Sequence, residues 1–157
     1  MDSERMSRWL TLGANLAVLT GIVLLIAELN QNDEIMRAQI RNEITQGELS
    51  LLALTAENRE LVDILVRADQ GEELTPTETR MYSSRSESVF RLWQNVHYQG
   101  RNGMYDEEEF SKHIQTMASV LNNSPGLVTY WCGARLVYPA AFAAEIDHLI
   151  PADSCMK

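Results

Sequence analysis

Charge is missing from Leu10 to Ala27, the stretch LTLGANLAVLTGIVLLIA. A soluble core helix of that length normally shows a polar face, and this one carries no charge on any face, which argues against a buried core helix. Clustered cations are missing as well: no run of four Lys or Arg occurs, and the formal net charge is −9. Nucleic-acid binding needs such clusters to meet phosphates and is excluded as a class. Docking of an acidic face on anionic headgroups is disfavoured for the same reason. Cysteine is scarce, with only Cys132 and Cys155. Two thiols permit one bridge in an oxidising compartment but no disulfide framework. Cys132, between Trp131 and Gly133, otherwise reads as a small buried hydrophobe.

Strand patterns are equally missing. No segment alternates apolar and polar residues, and the Asn102-Gly103 pair lies between helical stretches. There is no repeat, no low-complexity tract, no Gly-x-Ser-x-Gly elbow, no Walker loop, no Gly-x-Gly-x-x-Gly, no His-Glu-x-x-His and no Cys-x-x-Cys. With 22% charged and 45% apolar residues, the chain is globular in composition.

What is present begins with the uncharged run. From Trp9 to Ala27, 19 residues span roughly 28 Å as a helix, close to the hydrocarbon thickness of a bilayer. Arg8 and Trp9 suit an interface. After the run, Ile26, Ala27, Glu28, Leu29 and Asn30 contain no small-x-small cleavage site, so an uncleaved signal-anchor is expected. Gly13, Ala17 and Gly21 recur every fourth residue and form a strip for close helix approach, with Asn15 able to bond a neighbouring helix. Arg5 and Arg8 precede the span and favour a cytoplasmic N-terminus, which places the C-terminal domain outside.

Beyond the span the punctuation is helical. Met36, Ile40, Ile44, Leu51 and Leu54 lie on or near one stripe, with Gly47 on it, while Asn30–Asp33 offers a fresh cap and a kink. Asn58 caps a helix with Leu61, Ile64, Leu65 and Ala68 inward, stopped by Gly71. Thr75, Pro76 and Glu78 form a capping box for a helix running to about Gln99. Tyr82, Val89, Leu92, Trp93 and Val96 are its inner face, and Gly100 and Gly103 its end. Asp106 caps the next helix, with Glu109 returning the bond, Tyr105 stapled to Phe110, and Ile114, Met117 and Leu121 inward. Ser124 and Pro125 start another, with Leu127, Tyr130, Trp131 and Leu136 inward. Pro139 starts the last, through Phe142, Ile146 and Leu149, closed by Pro151. Trp93, Tyr98, Tyr130 and Trp131 read as core. The serines at 83, 84, 86 and 88 read as close-packing or solvated residues.

The expected architecture is all-α: an N-terminal transmembrane helix followed by a small bundle of about five helices. The segments are a tail at 1–8, a transmembrane helix at 9–29, a stalk continuing it at 30–56, a helical domain at 57–151 and a tail at 152–157. Histidines number three. Glu145 and His148 make one Glu-x-x-His step, and Glu109 and His113 lie one turn apart. A di-iron bundle needs two such steps and two further Glu residues, so these four are candidate metal ligands without a complete set, and no cofactor is expected.

The segments LTPTETRMY, WQNVHYQGRNGMYDEEEF and SPGLVTYWCGARLVYPAAFAAEIDHLI, behind one apolar span, are together similar to an uncharacterised bacterial family of small single-span membrane-anchored helical proteins. Where members of that family often carry a charged residue after the Tyr-Trp pair, this chain has Cys132 and Gly133. The resemblance implies the architecture and a bacterial inner (cell) membrane; it transfers no activity and no site residue. The expected function is a membrane-tethered, non-enzymatic helical interaction module. Its partners would be the lipid bilayer and either a second copy, through the transmembrane helix, or a larger membrane complex of which it is an accessory subunit. The rival readings are a metal-dependent enzyme or sensor using Glu145 and His148, and an input domain with an apolar ligand among its helices.

Overall fold

A first helix, α1, runs unbroken from Asp2 to Glu57 in the computed structural model, which describes residues 2–155. Met1, Met156 and Lys157, the ends of the two expected tails, lie outside the described residues. No proline interrupts the sequence before Pro76, so nothing removes a helical hydrogen bond across the Asn30–Asp33 cap signal. The expected kink is therefore not observed: once a helix is propagating, a cap residue in its interior costs only a weak propensity penalty.

Five shorter helices follow: α2 (Arg59–Asp69), α3 (Pro76–Arg101), α4 (Glu107–Asn123), α5 (Pro125–Ala134) and α6 (Ala140–Leu149). A 3-10 turn, Arg135–Val137, joins the last two. Among the described residues there is no strand. The architecture is thus all-α, with a long apolar N-terminal helix and then a helical bundle.

The chain divides into two units at Gln39/Ile40, within α1. In the first unit every described side chain is exposed. No residue of the 18-residue apolar window of α1 is buried. The second unit has a core built around Trp131, fully buried, with the Phe90 ring 4.8 Å away and Phe142 meeting it edge-on at 5.8 Å. Ile44, Val96, Met117, Leu121 and Ile146 complete its apolar centre. The Trp131 indole N–H donates to Asp147 Oδ1 at 2.8 Å, and Asp147 also pairs with Arg135 at 3.4 Å.

Capping signals account for most boundaries. Asn58 accepts from the Leu61 N–H at 3.0 Å. Thr75 and Glu78 form the reciprocal capping box expected of them, with Pro76 in the first turn. Glu78 also pairs with Arg67 of α2, so one carboxylate closes α3 and ties it to its neighbour. Its pKa lies below the usual carboxylate value, first because the Thr75 N–H bonds it. At Gly71 (φ 76°) and Gly103 (φ 67°) the chain enters the left-handed region that stops α2 and α3. In each case the next residue's N–H reaches back to the third-last helical carbonyl: Glu72 to Arg67, and Met104 to Gln99.

Several local expectations differ. Gly100 lies inside α3 and not at its end: a Cβ there would come within 2.6 Å of the Phe110 ring, so this glycine is a close-approach site for α4. Gly47 does the same for Leu92, which a Cβ would meet at 3.0 Å. Ser124 makes no side-chain cap bond; the role at the start of α5 falls to Asp69 of α2, which accepts the Gly126 N–H at 3.1 Å. Glu109 pairs with Arg41, while Asp106 alone accepts the Glu108 and Glu109 N–H groups. Met36 and Leu54 are exposed, because the buried stripe of α1 runs through Ile40, Ile44, Gly47, Leu51 and Thr55. Leu136 is 91% exposed, because the 3-10 turn shifts the angular phase carried over from α5. Tyr98 is exposed, five residues and therefore far in angle from Trp93 on the inner face of α3.

Candidate functional site

Gly13, Asn15, Ala17 and Gly21 all lie exposed on α1, and a Cβ placed on either glycine would meet nothing within 4 Å. Thr11 and Thr20 return their hydroxyls to the helix backbone, donating to the carbonyls of Ser7 and Leu16 at 2.9 Å. Their polarity is thereby satisfied inside the helix, which suits an apolar surrounding.

The candidate metal residues fall into two separate places. On α4, His113 is engaged at both ring nitrogens. Its Nε2 lies 3.0 Å from the Tyr105 hydroxyl and its Nδ1 3.3 Å from Glu48 of α1. A neutral ring with the proton on Nδ1 satisfies both: Nδ1–H donates to the carboxylate and Nε2 accepts from the phenol. Glu109, one turn away, is directed to Arg41. His113, Tyr105, Glu109 and Arg41 line an open, polar depression with Lys112 and Asp106. On α6, His148 is exposed and Glu145 half-buried. Glu145 acts instead on His97 of α3, where its charge opposes a burial that lowers the imidazole pKa. Among the described residues no three His, Cys, Asp or Glu side chains gather as a metal ligand set.

Cys132 and Cys155 form a disulfide, with Cα atoms 5.1 Å apart, so Cys132 is a covalent anchor and not a plain packing residue. The bridge fastens the segment after α6 to the outer part of α5. Their separation of 23 residues gave no signal of pairing, because the intervening turn and helix had to fold back first.

Sequence reasoning also passed over Arg85, Ser86 and Asp69. Ser86 belongs to a run of serines read as packing or solvated residues, yet its hydroxyl is buried and without a hydrogen-bond partner. The available signal was its position: Ser86 falls four residues after Tyr82 and four before Phe90, on the inner face of α3. No family model, curated protein or solved structure matches the chain.

Proposed function

We propose that this protein is a single-span, membrane-tethered helical interaction module without enzymatic activity, its bundle standing on the oxidising, outer side of a bacterial inner membrane. The observation that carries the reading is the charge-free stretch Leu10–Ala27 of α1, apolar over a bilayer's thickness and exposed throughout. Hydrating that surface in water costs roughly 25 cal/mol per Å² of apolar area, whereas lipid removes the penalty. The Cys132–Cys155 bridge supports the sidedness, because such bonds persist in oxidising compartments and not in the cytosol. Arg5 and Arg8 before the span favour the same orientation.

The mechanism is confinement. Anchoring holds the bundle in a thin layer beside the bilayer and raises its effective concentration for membrane partners, either a second copy or a larger membrane complex. The Gly13/Ala17/Gly21 strip offers the surface for helix pairing. Alkaline-carbonate washing of native membranes tests the anchor: the full chain is expected in the pellet, and release into the supernatant would sink the reading. A C-terminal reporter active only outside the cytoplasm tests the side. Crosslinking in native membranes tests the partner, with recovery of nothing but monomer counting against it.

A further inference from the structure

The second unit contains a partly open cavity of about 140 Å³ lined by α2, α3, α4 and the start of α5. A single water needs about 10–15 Å³ on this scale, so the space takes a molecule of roughly ten non-hydrogen atoms. Leu65 and Leu127 contribute to its apolar wall, and its polar groups are Asp69, Tyr82, Arg85, Ser86 and Ser124.

Two of those polar groups have buried atoms left over, Arg85 Nη1 and Ser86 Oγ. Arg85 donates through Nε to Thr55 Oγ1 at 3.2 Å, which fixes the plane of its fork. Its Nη1 is buried and has no hydrogen-bond partner. Among the described residues no carboxylate lies within 4.0 Å of it. Arg85 is half-buried, and withdrawing part of its guanidinium from water without a counter-charge lowers its pKa. Ser86 is 1% exposed and its hydroxyl is likewise unpartnered. Burial pushes the Tyr82 phenol up to about 12, and the Ser86 hydroxyl beside it opposes that shift. Asp69 uses Oδ1 on the Gly126 N–H and faces the same space with its negative charge.

A planar, forked donor beside a hydroxyl recognises a carboxylate. A carboxylate across the cavity repels simple anions and attracts an ammonium group. We propose that this cavity binds a small zwitterion of amino-acid size, its carboxylate on Arg85 and Ser86 and its ammonium on Asp69. The inference does not depend on the membrane reading, since it concerns the bundle alone.

The test uses the full chain in detergent with the proteinogenic L-amino acids, each at about 10 mM, followed by thermal melting and titration calorimetry. Propionate and propylamine serve as half-ligands. The expected result is that at least one amino acid raises the melting temperature by several degrees and gives a saturable heat, while each half-ligand does less. Arg85→Lys, which keeps the charge but loses the fork, is expected to weaken that binding about tenfold or more. Asp69→Asn keeps an oxygen for the Gly126 N–H and is expected to abolish the preference for the zwitterion over propionate. It supplies the same discrimination should the Arg85 variant not fold. No response from any amino acid overturns the proposal, and so does binding that neither substitution alters.

Discussion

One helix lies in two environments. Before Ile40, α1 exposes Leu12, Leu16, Val23 and Leu24 to between 58% and 65% of their surface. Beyond it Ile44 is 1% exposed, and Glu48 and Thr55 reach His113 and Arg85. The backbone is the same and the residue types overlap, so hydrophobicity alone does not decide burial. What differs is the other side of the helix. From Leu10 to Ala27 there is no charged side at all, and only Thr11, Asn15 and Thr20 interrupt the apolar circumference. From Ile40 to Thr55 the polar groups return and leave one stripe, which is what a bundle can cover. The first region has the pattern of a helix solvated by lipid, the second that of a helix solvated by protein.

The comparison breaks most sharply at Trp131. Replacing it with Ala removes the ring on which Phe90, Tyr138 and Phe142 converge and strips Asp147 of an indole donor. The expected loss is about 3–5 kcal/mol of bundle stability, read from denaturant unfolding of the purified chain, with membrane retention unchanged. Leu19→Arg is the reciprocal change. A cation at the middle of the proposed span costs about 2.5–3.5 kcal/mol of insertion. Fractionation should move the chain out of the membrane pellet while the bundle keeps its melting temperature. If Leu19→Arg unfolded the bundle, or Trp131→Ala released the chain from membranes, the two regions would not be independent.

Next in size is the bridge. Cys132→Ser with Cys155→Ser opens a loop of 23 residues, and chain entropy puts the expected loss near 3 kcal/mol, an upper value. Thiol trapping before and after reduction checks that the bond forms in cells, and a melt gives the effect. A chain found fully reduced in its native membrane would contradict the outer placement of the bundle. Thr75→Ala is smaller. Removing the hydroxyl that accepts the Glu78 N–H at 3.4 Å should cost about 1 kcal/mol, because the Glu78 carboxylate still accepts from the residue 75 N–H and still pairs with Arg67.

The residues that were legible in the sequence are those whose signal is local. Thr75, Pro76 and Glu78 announce a helix start within four positions, and Asn58 and Gly71 bracket α2 in the same way. What sequence could not supply depends on contacts across the fold. Asp69 serves α5 from 57 residues away, and nothing near Ser124 foretells that. Gly100 reads as a terminator until Phe110 is seen packed on it. Leu136 follows the α5 period only until the chain tightens into a 3-10 turn. The site residues divide along the same line. Glu109 and His113 satisfy a metal-like spacing on one helix, but Arg41 and Glu48, both from α1, engage them instead. Arg85 and Ser86 have no motif at all and become conspicuous only because Arg85 Nη1 and Ser86 Oγ are buried without a partner.

The smallest expected effect concerns His97, which lies beside Phe110 and Phe142 with ring centroids 6.4 and 5.6 Å away. Burial lowers its pKa below the ordinary 6.5; Arg101 pushes the same way, and Glu145 opposes both. The folded protein therefore binds a proton on this ring less readily than the unfolded chain. Below about pH 6.5 the unfolded state takes up more protons, so stability falls as pH drops through that window and is fully present above it. His97→Phe removes this linkage while leaving His113, His148 and the carboxylates in place. Urea midpoints of the two proteins, measured from pH 7.5 downward, should diverge as pH falls, the wild type losing more. Parallel profiles would mean that the His97 ring titrates alike in both states, and that its place between two phenyl rings is wet enough to carry charge.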